Sequence, residues 1–196
     1  MEPGLCIGTG TLADILRKTE PLITAVGSCV RSLATGCFRL PHLERAWCDA
    51  AYWLHEALAE PLDSIAIAKL ETAVEVLLHG ESTSGSQTRV LTILETFYSL
   101  KLDDPVTNGA TTTAKQFARS VVRDRSRILH GTWSTLNSRL GLNRNGLEKF
   151  VITVTRRAAL ELEDYALSAS SEDNIDDFLS WVERREAART SGAMRK

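Results

Sequence analysis

The chain has 196 residues, 43% of them apolar, enough for one sizeable hydrophobic core, so a single domain is expected. A formal net charge of −2 excludes a protein that grips nucleic acid by bulk charge; any contact with RNA must use a local basic site. No stretch approaches the roughly 18 apolar residues of a membrane span, and the opening MEPGLCIGTGTLADILRK lacks a signal-peptide pattern, so no membrane contact and a cytoplasmic location are expected.

Along the chain, almost every segment with a clear period reads as helix. A short helix is predicted over Leu12 to Arg17 and a second after Pro21, ended by Gly36. Residues 1–40 thus form an N-terminal helical extension packed on the core. The main bundle, 41–168, opens near Pro41 with Leu43, Ala46, Trp47, Ala50, Leu54 and Ala57 on one helical face. After Pro61, a helix from about Leu62 to Leu78 puts Leu62, Ala66, Leu70, Ala73 and Leu77 inward. It leaves Glu71 and Glu75, one turn apart, on a solvated face.

Gly80 closes that helix, and GESTSGSQ reads as a flexible loop. Val90, Leu94, Phe97 and Tyr98 mark the next helix, DDPVTNGATTT a second loop, and AKQFARSVVRDRSRIL a long helix ending at His130 and Gly131. Leu147, Val151, Val154, Ala158, Leu162 and Tyr165 share a face of the helix that follows. A C-terminal helix lies in 169–189, near Asn174 to Arg189, acidic in its first turn and basic in its last. A disordered tail, 190–196, completes the chain. Period-2 runs with hairpin turns are missing, so the class is all-α. Cys6, Cys29, Cys37 and Cys48 have neither zinc-site nor C-x-x-C spacing and read as free structural thiols; no metal and no cofactor are expected. Trp47, Trp53, Trp133 and Trp181 read as core or interface anchors rather than base-stacking platforms, with Trp133, three residues past His130, the exception to watch.

Residues 114–133 carry the chemistry. Ala114, Ala118, Val121, Val122, Ile128 and Leu129 form an apolar stripe, and Arg125 falls within it. A guanidinium in such a stripe needs a carboxylate partner, or a cleft or interface where a phosphate can reach it. Arg123, Asp124 and Arg127 lie off the stripe's centre, the arginines on a solvated face. His130 lies at the helix end, where Gly131 can take a left-handed conformation.

The run R-S-R-I-L-H-G at 125–131, with polar Ser126 directly after the arginine, and the helix A-V-E-V-L-L at 73–78 resemble the R-x(4–6)-H motif and the "ALExLL" helix of HEPN domains of the Apea-like branch. The resemblance spans roughly residues 45–165. It implies a single-domain helical bundle of HEPN type with additional N- and C-terminal helices, paired as a homodimer that brings two motifs into one cleft. It further implies a metal-independent endoribonuclease of a toxin–antitoxin, abortive-infection or anti-phage system, with RNA as substrate and an antitoxin or defence-system protein as partner. Other members of the family have lost activity and bind a partner protein or RNA. On this resemblance Arg125 and His130 are catalytic, Arg123, Ser126 and Arg127 touch substrate, and Glu75 partners Arg125. Thr132 stands where one subgroup has a modified tyrosine, so that modification is not expected.

The residue types suit the reaction. A 2′-OH attacking its own phosphorus needs a base, an acid for the 5′-oxygen, and a cation for the crowded phosphorane. Histidine, with an unperturbed pKa of about 6.5, can be either acid or base, and arginine can hold two phosphate oxygens at once. One histidine cannot readily do both jobs in one step, which favours two chains. Residues five apart on a helix point about 140° apart. Arg125 and His130 therefore converge only if the helix distorts or the two act across a dimer. Arg123, Arg127 and His130 share a face.

Overall fold

Among the described residues, those with apolar side chains three and four apart close into seven α-helices. The computed structural model describes residues 9–78, 83–106, 111–130, 132, 143–169 and 171–193. The helices are α1 (Thr9–Thr35), α2 (Pro41–Leu58), α3 (Asp63–Leu78), α4 (Thr83–Tyr98), α5 (Ala114–Leu129), α6 (Arg144–Ala166) and α7 (Ile175–Ala193). Among the described residues there is no strand, only one isolated bridge between Pro105 and Thr113. The class is all-α, as the periodicity requires.

α3 is the centre, packed against α2, α4, α5 and α6. Ala66, Ala73 and Leu77 are buried on one side of it, and Ile67, Val74 and Leu78 on another. A helix apolar on several faces belongs in the interior. α2 begins with Pro41 in its first turn and has no side-chain cap of its own. Instead the Asp173 carboxylate accepts from the N–H groups of His42 and Leu43 at 2.8 and 3.0 Å, tying the C-terminal segment to this helix N-terminus. Trp47 is buried and donates its indole N–H to the Thr155 carbonyl of α6 at 2.9 Å. The expected face of α6, Leu147 to Tyr165, is buried throughout.

Four expectations need correction. The two N-terminal helices are one: α1 runs unbroken through Pro21. Pro21 is exposed, so the carbonyl it leaves unpaired can be hydrated, and the ring's clash is relieved towards solvent. α4 already begins at Thr83, inside the stretch GESTSGSQ expected to be a loop; that stretch's first residues, and the expected helix end at Gly80, fall outside the described residues. Leu62 lies outside α3 and is exposed. α7 continues to Ala193, past the expected end at Arg189, so no basic residue remains in its last turn. The expected role of Gly131 and of Trp133 falls outside the described residues.

α1 packs on α2 and α6 through Ala25, Cys29 and Ser32. A second apolar stripe on the same helix, Leu12, Leu16, Ile23 and Val30, is exposed. Cys29, Cys37 and Cys48 are free. Burial pushes the Cys29 thiol up to about 12 and that of Cys48 to about 11, so both act as core residues rather than nucleophiles.

Candidate functional site

α5 begins with a capping box. Thr113 Oγ1 accepts from the Gln116 N–H at 3.3 Å, and Gln116 Oε1 accepts from the Thr113 N–H at 3.0 Å. Ala114, Ala118, Val121 and Ile128 then pack inward. Arg125 points into that same face and meets Glu75 of α3 in an ion pair. Its side chain is 30% exposed and that of Glu75 26%, so the pair sits at the rim of the α3–α5 contact. Arg125 Nε is buried and, among the described residues, has no hydrogen-bond partner.

Two further carboxyls lie inward of this pair, and both depart from expectation. Glu71, read from sequence as solvated, is 2% exposed; Asp124, read as off the stripe, is fully buried. Asp124 Oδ1 accepts from Arg123 Nε at 3.0 Å. Among the described residues, neither Glu71 oxygen has a hydrogen-bond partner. A cavity of about 20 Å³ between α3, α4 and α5 is lined by Glu71, Glu75, Ser86, Val121 and Arg125, among others. Burial, and then the nearby Asp124, push the Glu71 carboxyl up to about 10. The neighbouring Arg125 offsets this only in part. The warning was present in sequence: Ile67, Val74 and Leu78 stand four before, three after and seven after Glu71, which makes a second apolar face.

His130 is the C-cap of α5. Its N–H donates to the Ser126 carbonyl at 3.0 Å, and its φ of −86° and ψ of 6° carry the chain on almost helically. The Thr132 N–H and hydroxyl both donate to the Arg127 carbonyl at 3.0 Å, the six-to-one closure of a Schellman-type ending. α5 therefore does not unwind before His130, and the divergence from Arg125 persists. Among the described residues no hydrogen bond joins the two. His130, Arg123, Ser126 and Arg127 are all exposed on the outer side of the helix.

The structure thus brings Arg125 and Glu75 together and sets His130 apart from them, beside Arg123 and Arg127. Among the described residues, no group of His, Cys, Asp and Glu is arranged to hold a metal ion, and no helix is long and apolar enough to cross a membrane. No family model, curated protein or solved structure matches the chain.

Proposed function

We propose that the chain is a metal-independent endoribonuclease of HEPN type, cleaving RNA by 2′-OH attack in a site completed by a second copy of itself. The observation that carries the reading is His130: an exposed imidazole at the end of α5, beyond an arginine-rich outer face and not engaged by the core. In that position it can reach a phosphodiester. One His130 takes the 2′-OH proton while the His130 of the second copy protonates the leaving 5′-oxygen. Because α5 stays helical up to Leu129, Arg125 cannot swing to its own His130 by local unwinding. A two-fold axis near the end of α5 would let the Arg125 of one copy serve the His130 of the other. The phosphate then competes with Glu75 for the guanidinium. The wider setting, a defence or toxin system with a protein partner, belongs to this reading and to the sequence resemblance.

The test is cleavage of mixed RNA by purified protein in EDTA, beside His130→Ala. The reading expects cleavage in EDTA, loss of cleavage in the variant, and 2′,3′-cyclic phosphate and 5′-OH ends. Activity lost in EDTA and restored by a divalent ion, or products with 5′-phosphates, would refute it.

One observation favours a second reading, a catalytically silent module that binds RNA or a protein. Arg125 is already paired with Glu75, as a purely structural arginine would be. Specific RNA binding without cleavage in either protein would select that reading.

A further inference from the structure

We propose that the outer row of α5, Lys115, Arg119, Arg123 and Arg127, is a phosphate-tracking surface that holds the backbone of one RNA strand and leads it to His130. The proposal deepens the nuclease reading by adding Lys115 and Arg119 to the substrate surface.

Charge is the first argument. α5 carries Lys115, Arg119, Arg123, Arg125 and Arg127 against the single acid Asp124, in a chain whose net charge is −2. The basic character the whole molecule lacks is therefore concentrated on one helix. The only acid on that helix, Asp124, is fully buried against Arg123, so no carboxylate of α5 stands among its exposed cations.

Spacing is the second. The four residues stand at i, i+4, i+8 and i+12, so neighbours are separated by about 6 Å along the axis and form one gently slanted row. That step is close to the distance between successive phosphates of an extended nucleotide strand. At 100° per residue, His130 points into the middle of the arc that the row sweeps, whereas Arg125 points to the opposite side. The row and the imidazole thus face one ligand.

Availability is the third. Lys115, Arg119, Arg123 and Arg127 are all exposed. Among the described residues, neither Lys115 nor Arg119 makes an ion pair. Arg123 gives only its Nε to Asp124, and its side chain is still 52% exposed. That contact uses Nε, and a guanidinium this exposed can still offer its two terminal nitrogens to phosphate oxygens. Among the described residues, the arc holds no exposed aromatic or aliphatic side chain. It therefore offers contacts to phosphate rather than stacking for bases, and binding should be tolerant of sequence.

The experiment uses a 2′-O-methyl oligoribonucleotide, which cannot be cleaved by 2′-OH attack, and measures affinity against salt concentration. Each phosphate contact on a single strand contributes about 0.7 to the log–log slope. Wild-type protein should therefore show a slope between about −2 and −3, the full row giving the larger value. Lys115→Ala and Arg119→Ala should each reduce the slope by about 0.7 and weaken binding severalfold. Lys115→Glu with Arg119→Glu should weaken it more than tenfold with an unchanged circular dichroism spectrum, since both residues are exposed. Lys18→Ala, on α1, should change nothing. The proposal is overturned if the α5 variants keep the wild-type slope, if Lys18→Ala lowers it equally, or if a poly-glutamate peptide displaces the oligonucleotide at equal charge concentration. Its failure is separable from that of the nuclease reading. Cleavage with an unaltered salt slope in the variants sinks the row alone. A slope that depends on Lys115 and Arg119 without any cleavage leaves the row standing and sinks the nuclease.

Discussion

Glu71 has the polar sequence identity of a surface residue and the surroundings of a core residue, and burial changes its acid–base behaviour. Its pKa rises from an ordinary 4.5 to about 10 in the folded chain. Between those values the folded state keeps a proton that the unfolded state releases. The resulting stabilisation is complete below pH 4.5 and is lost steadily as pH rises towards 10. Urea midpoints at pH 5, 7 and 9 should therefore fall with pH in wild-type protein and fall less steeply in Glu71→Gln. The variant should be the more stable protein at pH 9; parallel curves would show that Glu71 is ionised after all. Arg125 is linked to the same cluster. Arg125→Ala removes the partner of half-buried Glu75 and should lower stability by about 1–3 kcal/mol. Glu75→Gln should cost less, because the amide oxygen can still accept from the guanidinium. Equal stability of Arg125→Ala and wild type in urea unfolding would mean that the α3–α5 pair contributes nothing.

At the scale of elements, most of the fold could be read from spacing. A single apolar stripe predicts a helix that buries one face, and this holds for α2, α5 and α6. For the same reason Arg125, inside such a stripe, could be recognised as needing a carboxylate, and Glu75 is the residue it meets. What one stripe cannot show is how many neighbours a helix will have. α3 is covered by four others, so its second apolar face is buried and takes Glu71 with it. Pro21 misled in the opposite sense: a proline interrupts the hydrogen-bond ladder, but one missing donor on the solvent side does not end a helix of 27 residues. Residues 80–87 are rich in small polar residues that read as a loop, yet their second half begins α4, since such residues also start helices well. The capping box of α5 lies in plain sequence as Thr113-x-x-Gln116. Thr113→Ala should destabilise the protein by about 1 kcal/mol without shifting the position of His130 at the other end of the helix. A change below about 0.3 kcal/mol by urea unfolding would show that tertiary packing alone fixes the start of α5.

For the whole molecule, two surfaces stand out, and they lie on different helices. α1, packed on α2 and α6, exposes Leu12, Leu16, Ile23 and Val30; α5, packed on α3 and α4, exposes its basic row and His130. The proposed two-fold axis lies at the end of α5. Light scattering should therefore find a dimer that survives Ile23→Glu and is weakened by Arg125→Ala. The reverse pattern would move the contact to α1 and separate the two His130 side chains. The central claim is that acid and base come from two chains. Its most direct test is the activity of mixed dimers, one chain wild type and one His130→Ala, isolated through differing affinity tags and incubated with RNA in EDTA. The composite site predicts activity far below half that of the wild-type dimer. Activity at one half, or cleavage by a monomer, would mean that each chain holds a complete site and would contradict the account.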